Sequence, residues 1–228
     1  MSSEHAERRR GNVYGRRKGP KLSAHQSQLL ETILPKLTLD IKAGAAPHSY
    51  FNNAVENIWL EIGFGAGEHL HWQARANPKV GLIGAEPFMN GVAKLLSKLD
   101  TEPANNIRLH GGDARDIIAA LPDASLGRAF ILFPDPWPKT RHHKRRFIQT
   151  AILNDLARVM KPGAELRFAS DDAPLVEYTL ERLMAHPSFE WTATSAMDWR
   201  SRPADWPRTR YEAKQLHGVP AFLRFRRL

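Results

Sequence analysis

Short apolar runs alternate with amphipathic stretches along this chain, and the alternation predicts most of its elements. Asn57–Ile62 (NIWLEI) reads as a buried strand, followed by a glycine turn and a helix over Gly67–Arg75. Val80–Ala85 is a second apolar run, with a helix over Asn90–Leu99. Asn106–His110 predicts a short strand, Ala114–Leu121 a helix and Ala129–Phe133 (AFILF) a strong strand. Between Arg146 and Met160, Ile148, Ile152, Leu156 and Val159 recur on one helical face, and Lys161-Pro162-Gly163 is expected to stop that helix. Glu165–Ala169 then predicts a strand, Leu175–Ala185 a helix, and Glu190–Thr194 and Ala221–Arg226 two further strands. Upstream, Leu29, Leu30, Ile33 and Leu37 are near helical spacing, with Pro35 disturbing the last turn. Residues 197–210 look irregular. Residues 1–22 show no apolar period and read as a flexible basic arm ahead of one domain over 23–228. Repeated strand–helix units give the α/β class: a Rossmann-like, mostly parallel seven-stranded sheet with helices on both faces. In such sheets ligands sit outside the C-terminal ends of the strands.

Composition narrows the chemistry. The 228 residues are 42% hydrophobic, enough to bury a core. No cysteine is present, which excludes a disulfide framework, a thiolate nucleophile and cysteine-ligated metal. No apolar run approaches the ~20 residues of a membrane helix, and the start MSSEHAERRR lacks the apolar stretch of a secretory signal, so a cytoplasmic protein is expected. The net charge is +9, but its distribution says more. Residues 1–22, 139–146 and 208–228 each carry +5, leaving the rest of the chain at −6. An acidic body with three basic segments suits a polyanion, favouring nucleic acid over a membrane surface.

The strand ends carry the candidate site. The first runs into Glu61-Ile-Gly63-Phe-Gly65-Ala-Gly67-Glu68. Glycines there let the backbone turn sharply and approach a ligand, although a tight turn without a ligand has the same look. The spacing is G-x-G-x-G, and Glu68 opens the following helix, where a dinucleotide would set its pyrophosphate. A carboxylate there repels phosphate but not S-adenosylmethionine, whose sulfonium and ammonium are cationic; it is also an ordinary helix-start residue. Glu86, at the second strand end, is placed to accept from ribose hydroxyls. Asp113 in Gly-Gly-Asp-Ala can accept from an adenine amino group and can cap the next helix, two compatible readings. The fourth strand leads into Phe133-Pro-Asp135-Pro-Trp137-Pro-Lys139, where three prolines hold Asp135 at the crevice mouth and Trp137 offers a face for a base. Thr140-Arg-His-His-Lys-Arg-Arg146 follows at once, so candidate chemistry and a phosphate-seeking run are adjacent. His142 and His143 lie among five cations, and His69 and His71 point to different faces of their helix, so no metal site is expected.

With these motifs in hand, the chain resembles the bacterial tRNA (guanine-N7)-methyltransferases of the TrmB type. The resemblance rests on GRRKGP, LEIGFGAGEHL, GAEPF, GGDARD, LFPDPWPKTRHHKRRF, ASDD and TRYEAKQLHG, in the family's order. It implies a class I S-adenosylmethionine-dependent methyltransferase domain with S-adenosylmethionine as cofactor. The implied cofactor site is Glu61, Gly63, Gly65, Gly67, Glu86, Asp113 and Asp135, with Asp135 catalytic. Lys139, Asp171, Thr209, Arg210, Tyr211 and Glu212 match the family's substrate-contacting positions. Arg141, His142, His143, Lys144, Arg145 and Arg146 match its RNA-contacting run. The implied partner is tRNA, methylated on a variable-loop guanine at position 46, by a monomer or homodimer. Asp172 stands where the family carries an aromatic residue. The alternatives left beside this reading are a methyltransferase for another RNA base and a non-catalytic RNA-binding module. The acids at four strand ends weigh against the second.

Overall fold

A computed structural model describes residues 17, 19–214 and 216–228. The predicted basic arm falls mostly outside these residues. Seven strands form one sheet in the order β3-β2-β1-β4-β5-β7-β6. They are β1 (Asn57–Ile62), β2 (Val80–Ala85), β3 (Ile107–His110), β4 (Leu126–Leu132), β5 (Met160–Ser170), β6 (Phe189–Trp191) and β7 (Ala221–Arg227). The first five pair in parallel, and β7 runs antiparallel between β5 and β6. The chain reverses order at β1 and β4, and this switch point opens the crevice in which doubly wound sheets bind ligands.

Helices cover both faces. They are α1 (Ala24–Thr32), α2 (Leu34–Leu37), α3 (Glu68–Ala76), α4 (Met89–Thr101), α5 (Ala114–Ala120), α6 (Thr150–Val159), α7 (Ala173–Met184), α8 (Met197–Arg200) and α9 (Arg210–Lys214). Strand side chains alternate between two cores. Ile58, Leu60 and Ile62 pack with Ile117, Leu156 and Leu175 from α5, α6 and α7. Trp59, Phe130 and Leu132 pack on the other face with Leu29, Leu70 and Leu95 from α1, α3 and α4.

The boundaries of β1 and β2 match the apolar runs, and most others differ by a residue or a few. One local expectation changes. Lys161-Pro162-Gly163 ends α6, yet it is absorbed into β5 as an irregularity, with Gly163 at φ 79° and a register shift opposite Leu126 and Arg128. The segment 197–210 opens with the short helix α8, is irregular from there to Thr209 as expected, and is nonetheless anchored. Trp206 is fully buried, and Arg167 holds the Asp205 carboxylate with two bonds of 3.0 and 2.8 Å. The predicted disturbance at Pro35 is a break at Ile33, after which Pro35 sits in the first turn of α2.

Candidate active site

A cavity of about 520 Å³ opens at the C-terminal ends of β1, β2 and β4. Its first wall is the turn between β1 and α3. Gly63, Gly65 and Gly67 all have positive φ (71°, 56° and 70°), a conformation that side chains with a Cβ avoid. Gly67 is doubly constrained, because a Cβ there would lie 2.6 Å from the Leu95 side chain.

Buried acids form the inner end. Glu86 accepts from Gly65 N at 2.7 Å through one oxygen and from Phe88 N at 2.8 Å through the other. Burial pushes its carboxyl above the usual carboxylate range; the two backbone N–H groups oppose that shift, and the negative charges of Asp135 and Glu61 reinforce it. Glu61 is 2% exposed and accepts from His69 Nδ1 at 2.7 Å. The tautomer follows from the next bonds. Asn77 Nδ2 donates to Gln73 Oε1, so the Gln73 amide presents its NH₂ to the Asp205 carbonyl at 2.8 Å and to His69 Nε2 at 3.1 Å. An amide NH₂ only donates, so His69 Nε2 accepts and the ring proton sits on Nδ1, facing Glu61. His69 had no assigned role in the sequence; the signal was its place one turn before Gln73 on the buried side of α3.

The Asp113 carboxylate caps α5 through Arg115 N at 3.0 Å and binds Arg115 Nε at 2.8 Å, and it also lines the cavity. Asp135 stands at the mouth, without a hydrogen-bond or ion-pair partner among the described residues, and partial desolvation raises its carboxyl above the ordinary value. Its loop is strained on both sides, with Phe133 at φ 50° and Trp137 at φ 46°. Two bonds hold it: Phe133 N to Ala169 O at 2.7 Å and Arg146 Nε to Pro136 O at 2.9 Å.

Cations form the outer rim. The basic run is a 3₁₀ turn, Thr140–Arg145, capped at Lys139. Lys144 and Arg145 line the mouth on one side, and Thr209, Arg210 and Tyr211 line it on the other. Arg141 and Lys144 are exposed, His142 packs edge-on to Trp137, and His143 edge-on to Tyr178.

Four of the expected contact residues are placed differently from the rest. Arg146 does not share the exposure of its run: it is 3% exposed, with its guanidinium 4.5 Å from the Tyr178 ring centre and its Nε on Pro136, because it braces the Asp135 loop. Glu212 does not line the cavity; its buried carboxylate pairs at 3.0 Å with Arg202, which is exposed. Asp171 and Lys139 do not line the cavity; Asp171 accepts from His217 N at 3.1 Å, and Lys139 is exposed beside the mouth. Among the described residues, no group of three or more His, Asp or Glu is arranged to hold a metal ion.

The donor set fits S-adenosylmethionine. Acids converge where a sulfonium and an ammonium need counter-charges, and the N-terminus of α3, where a dinucleotide would set its pyrophosphate, is taken by Glu68, which accepts from Arg210 N at 2.6 Å. The fold agrees. The chain superposes on the crystal structure of the 16S rRNA methyltransferase KamB with a TM-score of 0.54 at 15% identity, covering 82% of this chain and 95% of that one. It superposes on the aminoglycoside resistance methyltransferase NpmB1 with a TM-score of 0.51 at 16% identity, covering 77% and 89%. Sheet order and superposition give the chain the fold of these methyltransferase structures, with an acid-lined cavity at the ends of its strands.

Sequence comparison narrows the class. Residues 55–220 match a family model described as "Putative methyltransferase". A tRNA (guanine-N(7)-)-methyltransferase of Rhodospirillum rubrum is 54% identical over 222 residues, covering 94% of this chain and 87% of the relative. Its namesakes in Brucella abortus (48% identical; 95% and 94% covered) and Chelativorans sp. (46% identical; 100% of both) extend the match. The chain belongs to the tRNA (guanine-N7)-methyltransferase family.

Proposed function

We propose that this enzyme transfers a methyl group from S-adenosylmethionine to N7 of a guanine in the tRNA variable loop, at position 46, in the cytoplasm. The observation that carries the reading is the placing of an unpartnered Asp135 carboxylate between an acidic inner cavity and a cationic rim. Bound S-adenosylmethionine supplies an electrophilic methyl group on a cationic sulfur.

Guanine N7 carries an in-plane lone pair and no proton, so the chain need not provide a general base. Its task is alignment and charge stabilisation. Glu61, oriented by His69, is a counter-charge for the ammonium, and Glu86, fixed by two backbone N–H groups, has lone pairs left for ribose hydroxyls. Asp135 accepts from the N1–H and 2-amino groups of guanine and stabilises the positive charge that the ring acquires. Adenine lacks both donors and leaves that carboxylate unsatisfied. Lys144, Arg145 and Arg210 at the rim neutralise phosphates as the base enters.

The test is transfer of labelled methyl to unmodified tRNA, followed by nucleoside analysis. All label is expected in 7-methylguanosine at position 46, and label on any other base or atom would overturn the reading. D135N is expected to lower kcat about a hundredfold, and full turnover with unchanged tRNA affinity would remove Asp135 from this role.

A further inference from the structure

A second concavity, of about 670 Å³, lies on the outer side of the 207–213 segment. It shares Glu68, Thr209 and Arg210 with the active-site cavity, so one stretch of chain walls both. Its other side is built from α3 and α4, which contribute Trp72, Arg75, Lys98 and Glu102.

The chemistry of this groove is specific. Trp72 is 38% exposed, a large aromatic face left toward solvent. Four cations share the groove with it: Arg75 pairs with Glu102, while Arg208 and Arg210, both exposed, and the half-buried Lys98 have no ion-pair partner among the described residues. The acids present are already occupied, Glu102 by Arg75 and Glu68 by the backbone N–H of Arg210. An open aromatic face among unpaired cations is the arrangement that binds a polynucleotide strand, with the ring stacking a base and the cations meeting phosphates. An acidic protein segment would satisfy the cations but has no use for the flat ring.

Position completes the argument. A nucleotide reaching the active-site cavity passes between Lys144–Arg145 on one lip and Thr209–Tyr211 on the other. The strand on either side of it must therefore leave over both lips. The basic 3₁₀ turn receives one side, and the Trp72 groove adjoins the other. We infer that the Trp72 groove is a second tRNA-contacting surface, in which Trp72 stacks on a base of the substrate while Lys98 and Arg208 neutralise its backbone. This rests on the tRNA reading above and extends it to a surface beyond the catalytic cavity.

The experiment is equilibrium binding of unmodified tRNA to the full chain over a salt series, for wild type, W72A, W72F and K98A/R208A, with S-adenosylmethionine affinity measured alongside. W72A is expected to weaken tRNA binding about tenfold, and W72F to recover part of the loss. K98A/R208A is expected to flatten the salt slope by roughly one to two. S-adenosylmethionine affinity should hold in all three. Wild-type tRNA affinity and slope in W72A and K98A/R208A would overturn the inference, as would a parallel loss of S-adenosylmethionine affinity, which would mark the positions as structural. If W72A weakened a poly-glutamate peptide as much as tRNA, the groove would be reading charge alone and the RNA assignment would fall. Because binding is read without turnover, wild type that binds tRNA through this groove but leaves guanine N7 unmethylated would sink the proposed function and spare the groove.

Discussion

Glu61 and Glu86 show how buried carboxylates are fixed in place by donors from their own chain. Glu61 depends on one donor, His69 Nδ1. H69L would leave a nearly inaccessible carboxylate without that donor, at a cost of about 2 kcal/mol. H69N, whose amide nitrogen falls near the Nδ1 position, should restore part of both stability and S-adenosylmethionine affinity. Chemical denaturation and calorimetry read the two effects, and an H69L protein as stable as wild type would show that the bond to Glu61 carries no weight. Glu86 gives a pH prediction. Its raised value means that the free protein disfavours the ionised form, so its contribution to stability is unfavourable at neutral pH and is relieved as pH falls through the raised value toward the ordinary 4.5. A cationic ligand bringing hydroxyl donors favours ionisation. Binding should therefore release protons above pH 4.5, and affinity should rise as pH climbs through the raised value. Binding enthalpies that do not vary with the ionisation heat of the buffer there would contradict this.

The turn that follows Asp135 separates two kinds of arginine within one basic run. Arg141 and Lys144 are exposed, and replacing both with Ala should weaken tRNA binding and lower its salt slope by roughly two, leaving S-adenosylmethionine affinity intact. Arg146 is built into the element: its guanidinium ties Pro136 O to Tyr178, and Gln149 Nε2 bridges His143 O, Arg146 O and the Tyr178 hydroxyl. R146M should therefore lower turnover more than tRNA affinity, because the strained Phe133–Trp137 loop loses a restraint; steady-state kinetics beside binding decide. Sequence alone could not divide the run, because consecutive cations have no periodic face and Tyr178 lies 32 residues from Arg146. The same limit explains Glu212 and Asp171, whose partners Arg202 and His217 come from folded loops. What was legible was what periodicity marks. Apolar runs located the strand ends, and the acids at those ends, Glu61, Glu86, Asp113 and Asp135, all line the cavity. Lys161-Pro162-Gly163 read correctly as the end of a helix and wrongly as a gap before the next strand, because a glycine bulge is tolerated where β5 passes Leu126.

At the scale of the whole molecule, the wall shared by the cavity and the Trp72 groove is held by a junction of distant segments. Asp205 receives both Arg167 guanidinium nitrogens from β5, and its own carbonyl accepts from Gln73 of α3, the residue that sets the His69 tautomer. Trp206 follows, fully buried against Phe222 and His69. One residue thus links the sheet, the inner end of the cavity and the 207–213 wall. Burial raises the Asp205 carboxyl, but Arg167 and Arg128 hold it below its ordinary value on balance, so the stability it adds is present above 3.8 and lost as pH falls through the depressed value. D205A keeps the carbonyl bond to Gln73 and removes the carboxylate, leaving Arg167, 3% exposed, with Glu165 as its remaining ion-pair partner among the described residues. A loss of about 1.5 kcal/mol is expected, which lowers Tm by about 4 °C in a chain of this size. The functional effect should be unequal: S-adenosylmethionine affinity nearly unchanged, since Glu61, His69 and Gln73 keep their bonds, and KM for tRNA raised several-fold, since the wall that guides the strand loses its tie to β5. An equal loss of both affinities would mean that the junction supports the cavity as a whole, and an unchanged KM for tRNA would mean that the wall is held by Trp206 without Asp205.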